Sequence, residues 1–338
     1  MRKNSLIIVI FILVFLLIAQ SGYAQKNEKL AQTGVKFLSV SLDPRASGMG
    51  DAFTSLSSNS TSLLYNPAGM AELNRMTDFS FGTTKWIADI NYIYGTVGLN
   101  LFDGDYGVFG LSLVAVDYGE FLGTVVASND DGYLDVGTFK PVAMSIGLGY
   151  AKSLSEKVAI GGNIKYVRQS LGTVVSGLTG TGDQIVESKS VNAMVFDFGI
   201  LYHTGFKSLD FGMNVRNFST EVRYDEDGFQ LPLSFKIGVS MNMLDLWEID
   251  KQMHSFLFSV DASHPRDYPE QISLGGEYTF MNTFSLRAGI TTPTDEQEFS
   301  AGVGFKQNLS EVKFSIDYSY TPFGIFNDVH RVSVNIGY

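Results

Sequence analysis

Residues 45–73 read RASGMGDAFTSLSSNSTSLLYNPAGMAEL, and everything after them reads as β-strand. The stretch is rich in small residues, carries an Asn66-Pro67-Ala68-Gly69 turn, and is the only part with helical signals. Pro67 sits where a first helical position favours proline, with Asn66 as its cap, and Ser60 is a candidate cap for residues 61–65. Helices this short do not stand alone in water, so they predict a wall to pack against. The preceding residues 34–42, GVKFLSVSL, read as a short strand or an extended arm.

From residue 77 the signal is alternation of period two. At the end of the chain Val332, Val334, Ile336 and Tyr338 share one face, and Arg331, Ser333, Asn335 and Gly337 the other. Residues 311–320, 233–243 and 192–204 repeat the pattern. An apolar face opposite a polar or glycine face suits a wall between lipid and a polar lumen. About fourteen strands are expected, near 77–84, 90–102, 105–118, 138–153, 156–171, 190–204, 207–220, 231–244, 254–263, 269–281, 283–291, 296–307, 311–320 and 328–338. Short links such as 153–155 and 308–310 alternate with long polar ones, 119–137, 172–189, 220–230 and 321–327. Short turns on one rim and long loops on the other describe an outer-membrane barrel. The link 245–252 is an exception, long on the short-turn rim, and Trp247 there suits an interfacial aromatic belt or a docking surface. The fold class read from these signals is all-β, a transmembrane antiparallel barrel with a small N-terminal helical plug.

Composition agrees. Charged residues make up only 17% and aromatics 13%, with 35 glycines, which fits a lipid-facing wall better than a soluble domain. A net charge of −11 gives nucleic acid no basic patch to bind. The absence of cysteine excludes disulfides and thiolate sites. Arg2 and Lys3, the apolar run 6–19 and the small-residue exit Gly22-Tyr23-Ala24 predict a signal peptide over 1–24. The expected organisation is therefore leader 1–24, arm and lumen plug 25–76, and outer-membrane barrel 77–338, in contact with outer-membrane lipid.

The motif Ala46-Ser47-Gly48-Met49-Gly50-Asp51-Ala52-Phe53, followed by Leu64-Tyr65-Asn66-Pro67-Ala68-Gly69, resembles the FadL-like outer-membrane proteins, and more closely their PorV/PorQ branch. The spacing of the leader, an apolar arm, then Arg45, then the glycine segment, carries that closer resemblance. It departs at Asp51, where many relatives have a small residue. The resemblance covers the plug strongly and the barrel as strand number and pattern. It implies one of two roles. The first is a partner in type IX protein secretion, meeting secretion subunits and secreted proteins at the barrel rims. The second is a transporter of long-chain fatty acids or other hydrophobic small molecules. In either case Arg45, Gly48, Met49, Gly50, Phe53, Asn66, Pro67, Ala68 and Gly69 form the plug motif.

Asn66-Pro67-Ala68-Gly69 reads either as a gating hinge or as a capping turn that fixes the plug, and the second is the commoner use of such a turn. The inward charges Lys165, Asp197, Arg216, Lys236, Asp261, Glu277, Arg287, Lys306, Asp317 and Arg331 carry both signs. They are expected to pair with one another and with Asp43, Arg45 and Asp51, because charges away from bulk water need partners. Phe121, Leu122, Val125 and Val126 are out of place in a solvated loop; they mark a candidate docking patch or a continued strand. Asn129, Asp130 and Asp131 lack the terminal Glu of a strong calcium loop and read as a solvated tip. His203, His254, His264 and His330 are scattered, and there is no HExxH or GxSxG. No catalytic residue, metal or cofactor is expected.

Overall fold

The computed structural model describes residues 33–338, apart from residues 58, 102–103, 182, 226, 248–252 and 298. The expected leader 1–24 lies outside the described residues. The first strands are β1 (Thr77–Lys85), β2 (Asn91–Asn100), β3 (Val108–Asp117), β4 (Phe121–Val126), β5 (Tyr133–Phe139) and β6 (Val142–Ser153). There follow β7 (Val158–Leu178), β8 (Gln184–His203), β9 (Asp210–Phe218), β10 (Val222–Arg223), β11 (Gly228–Phe229) and β12 (Ser234–Asn242). The last six are β13 (His254–Pro265), β14 (Gln271–Phe280), β15 (Phe284–Thr292), β16 (Ser300–Leu309), β17 (Val312–Thr321) and β18 (Val329–Gly337).

Fourteen of these close into an antiparallel barrel. Neighbours follow chain order, and β18 closes on β1 with Phe79 opposite Ile336 and Phe81 opposite Val334. Closure leaves no edge strand, so the wall's backbone groups pair within it. The pairs β4–β5 and β10–β11 are separate hairpins in the long connections.

Alternation sorts the wall as its sequence predicts. On β6, Ile146, Leu148 and Tyr150 are exposed while Ala143, Ser145 and Gly149 are buried. Leu148 lies beside Leu111 on β3 and Ile164 on β7, and all three are exposed. Such outward apolar neighbours recur around the barrel and make a belt that belongs in hydrocarbon. Leu148→Arg is therefore expected to lower folding stability in lipid vesicles by ~2–4 kcal/mol, read from equilibrium denaturant unfolding. A change near zero would place Leu148 outside the hydrocarbon region.

Two connections differ from the sequence reading. Residues 172–189 are not a loop: β7 and β8 continue as a paired ribbon to Leu178 and Gln184, through register shifts after Ser170 and Val175. The β-branched residues Val174, Val175, Ile185 and Val186 favour the extended state there, and the β4–β5 hairpin packs alongside. Residues 119–137 likewise hold β4 and most of β5.

Candidate functional site

The N-terminal segment lies within the barrel, and its local structure follows from its caps. The Asp43 side chain accepts hydrogen bonds from the backbone N–H groups of Arg45 (2.7 Å) and Ala46 (3.2 Å), starting helix α1 (Pro44–Gly48). Burial pushes the Asp43 carboxyl up, and the charge of Asp317 adds to the effect. The arm does not form a strand: residues Lys36–Ser39 make a 3₁₀ turn that buries Phe37 and Leu38.

The cap of the next turn, Ser60–Leu64, is Asn59, which accepts from Thr61 N–H at 2.9 Å. Ser60, the cap that the sequence predicts, instead turns its hydroxyl to the wall, 2.8 Å from Thr96 Oγ1. Asn66 caps Pro67–Glu72 as expected, accepting from Ala68 N–H at 3.2 Å. Its Nδ2 also donates to the carbonyls of Thr54 (2.7 Å) and Ile200 on β8 (3.1 Å). One amide thus holds its own helical turn, the preceding loop and the wall.

Several of the inward charges pair, some with the segment and some within the wall, whereas among the described residues Arg216, Lys236 and Lys306 reach no carboxylate at ion-pair distance. Arg45 grips Glu277 on β14 with two bonds, Nε to Oε2 at 2.9 Å and Nη2 to Oε1 at 2.7 Å. Arg287 on β15 donates Nε to the same Glu277 at 2.5 Å and Nη1 to Asp317 on β17 at 2.6 Å. Asp261 Oδ2 accepts the N–H groups of Phe53 and Thr54, each at 2.9 Å. Arg331 donates to the Ser41 carbonyl at 2.8 Å, and Lys165 pairs with Asp197 at 2.8 Å. Asp51 turns through the left-handed region, with φ 61°, and accepts the Ser41 hydroxyl.

Between these polar anchors the segment rests on glycines. Gly161 and Gly199 are opposite each other on β7 and β8; Gly161 faces the Pro67-Ala68 backbone, and Gly199 faces the Asn66 side chain and the Pro67 ring. A Cβ on Gly161 would lie 2.5 Å from Ala68 N and 2.6 Å from Pro67 O. Gly275 and Gly289, paired across β14 and β15, receive Met49 and Gly50 in the same way. The pairs Gly110–Gly149 and Gly212–Gly238 receive Leu63 with Met70, and Thr54. Sequence reading saw a glycine face on single strands; only the register puts glycines opposite each other.

The remaining motif residues are buried in this seat. Met49, Ala68 and Phe53 are almost fully enclosed, Phe53 packing edge-on against Tyr65 at 5.4 Å. Gly48 lies against Gly302, and Gly69 donates its N–H to the Asn66 carbonyl at 3.0 Å. Two cavities flank the segment. One of about 40 Å³ lies between Phe37, Leu38, Leu63 and the inward faces of Val114 and Lys165. The other, about 290 Å³, is polar and lies toward the short-turn rim below Arg45.

On the opposite rim β4 and β5 project with Phe121 stacked on Phe139 at 5.7 Å. Phe121 and Leu122 are exposed, and Val126 is 92% exposed. Val125 does not belong with them. Strand alternation turns it away from Leu122 and Val126, to the face that it shares with Phe121, and there it is buried. Asn129 donates its amide to the Tyr133 carbonyl at 2.8 Å, and Asp130 and Asp131 are exposed at the tip. His203 sits between Glu72 (2.6 Å) and Asp210 (2.8 Å), tying the end of the segment to β8 and β9. Among the described residues no cluster of three or more acidic or histidine side chains could hold a metal.

A closed fourteen-strand wall with an apolar outer belt and a segment seated in its lumen defines an outer-membrane β-barrel of the FadL-like class. Solved structures share that fold. The toluene transporter TbuX of Ralstonia pickettii superposes with a TM-score of 0.60 at 11% identity, covering 88% of this chain and 97% of that one. The Pseudomonas putida toluene transporter TodX gives 0.57 at 12% identity over 86% and 96%. A Pseudomonas aeruginosa FadL homologue gives 0.56 at 11% identity over 88% and 98%. At such identities these likenesses establish the fold alone. Residues 116–333, more than half of the chain, match the family described as type IX secretion system membrane protein PorP/SprF, and the chain belongs to that family. The N-terminal motif had pointed to the PorV/PorQ branch in the same area of secretion-associated barrels; that motif lies before the matched residues. No curated protein matches the chain.

Proposed function

We propose that this barrel is a non-enzymatic component of type IX secretion that docks partners at its rims, with residues 25–76 as a fixed lumen plug. A leader over 1–24, removed after export, would deliver it to the outer membrane. The observation that carries the reading is the β4–β5 hairpin, which lifts Phe121, Leu122 and Val126 clear of the wall. Exposed apolar side chains grouped on a projecting hairpin suit a protein partner. A plug tied by Arg45, Phe53, Thr54 and Asn66 to wall residues supports anchoring over a gating hinge at Asn66-Pro67-Ala68-Gly69.

Transport of hydrophobic small molecules is the second reading. It draws on the apolar inward face formed by Val114, Val167 and Val195 against Phe37 and Leu38. With the arm seated, the cavity there is about 40 Å³, whereas small-molecule pockets are ~300–1,000 Å³.

The deciding experiment is purification from the native outer membrane in mild detergent with mass spectrometry of what accompanies the barrel. Type IX subunits or secreted proteins in stoichiometric amounts, lost in a Leu122→Asp/Val126→Asp variant, are the expected result. A lone barrel carrying a lipid or fatty acid would reverse the order of the two readings. Planar-bilayer conductance of the chain lacking residues 34–76 tests the plug separately. A folded deletion variant that conducts no more than the full chain would refute it.

A further inference from the structure

The polar cavity of about 290 Å³ below Arg45 has an unusual balance of charge. Its lining holds four cationic side chains, Arg45, Arg287, Lys306 and Lys313, and two carboxylates, Glu277 and Asp317. Both carboxylates are already engaged. Glu277 is held by Arg45 and Arg287, and Asp317 by Arg287. Among the described residues neither Lys306 nor Lys313 reaches a carboxylate at ion-pair distance. Asp78, the next acid along the wall, spends its Oδ1 on Ser60 N–H (2.8 Å) and the Asn335 amide (2.9 Å).

The two lysines are neighbours on one inward face. Lys306 on β16 is opposite Ser315 on β17, and Lys313 is two residues from Ser315 on the same strand. Like charges on the diagonal of a ladder repel, and inside a wall of low dielectric water screens them less than on a surface. Both are half-buried, so neither simply extends into bulk solvent. Hydroxyl groups of Thr279, Ser285 and Ser315 line the same space; Thr279 and Ser285 share one hydrogen bond at 3.0 Å, which leaves one hydrogen of that pair and the Ser315 hydroxyl to donate to oxygen.

We infer that this cavity is a binding site for a small water-borne oxyanion of the phosphate class, held between the Lys306 and Lys313 ammonium groups. An oxyanion supplies the negative charge that the lining lacks and accepts from ammonium and hydroxyl donors together, in charge-assisted bonds. The strands separate the cavity from the outer apolar belt, so the ligand comes from the aqueous phase and not from a lipid headgroup. The roof of the site is the Arg45 guanidinium, which places the anion against the anchor of the N-terminal segment.

Equilibrium dialysis of the detergent-solubilised full chain with radiolabelled inorganic phosphate, at constant ionic strength in chloride, tests this. The expected result is saturable uptake of one phosphate per chain with a Kd of ~1 mM or below. The Lys306→Gln/Lys313→Gln variant should bind at least about tenfold more weakly, while Lys140→Gln, on the outer rim, binds as the parent does. Heat-modifiable migration on gels confirms that each variant is folded. Absence of saturable uptake, or equal uptake by the double variant, overturns the assignment. A second measurement needs no variant. In the chain with ¹⁵N-labelled lysine, phosphate should shift the Lys306 and Lys313 signals and leave Lys140 in place. Equal shifts at all lysines would mean general screening and would also overturn it.

Discussion

Glu277→Ala is expected to cost ~3–5 kcal/mol of folding stability. The carboxylate is buried between Arg45 and Arg287, and its removal takes away the negative charge that both guanidinium groups share. Most of the cost is the penalty of uncompensated buried charge, which the lost attraction alone would not reach. Glu277→Gln should fall between parent and Ala, because it keeps an acceptor and loses the charge. Equilibrium unfolding in lipid vesicles measures the size of the loss. Limited proteolysis then shows where it falls: cleavage near Arg45 should rise before the barrel itself unfolds, since Arg45 is the segment's partner in the pair. A loss below ~1 kcal/mol would mean that water from the neighbouring polar cavity screens the site as it would a surface pair.

Gly161→Val should displace the Asn66-Pro67-Ala68 turn from the wall. A Cβ at 161 has no space, and what it meets is backbone, Ala68 N and the Pro67 carbonyl, which cannot swing aside as a side chain would. Overpacking of this kind costs ~1–3 kcal/mol and occasionally more. The adjacent residue supplies the control. Gly162 faces outward, and a Cβ there finds its nearest neighbours at 3.7 Å and 4.0 Å. Gly162→Val should therefore be close to neutral, and valine's preference for strands works in its favour. Hydrogen exchange at Ala68 and Gly69 reads the difference, fast in Gly161→Val and parent-like in Gly162→Val. Equal protection in both variants would show that the turn is not seated on the β7–β8 glycines.

The two substitutions probe different halves of one arrangement. Charged and polar groups of the wall satisfy the segment's own donors and carbonyls, as Asp261 does for Phe53 and Thr54. Paired glycines let its backbone approach closely enough for those bonds to form. Loss of either leaves the other short of partners. This coupling explains why a segment with so little regular helix is almost wholly buried.

Much of this was legible in the chain before any fold was in view. Period-two alternation in residues 77–338 decided both the barrel and the direction of each face, because adjacent strand side chains must point to opposite sides. The same rule named Glu277, Arg287, Asp317 and Arg331 as inward charges in need of partners. The Asn66-Pro67 cap was local chemistry and could be read locally. What strand alternation could not decide was which residues of distant strands meet. That Arg45 takes Glu277, that Gly161 faces Gly199, and that Lys306 stands diagonal to Lys313 depends on register, which links residues far apart in the chain. The projecting β4–β5 and β7–β8 ribbons escaped for a related reason. Their loop-like composition hid pairings that only neighbouring strands stabilise, and one step of alternation then separated buried Val125 from exposed Val126.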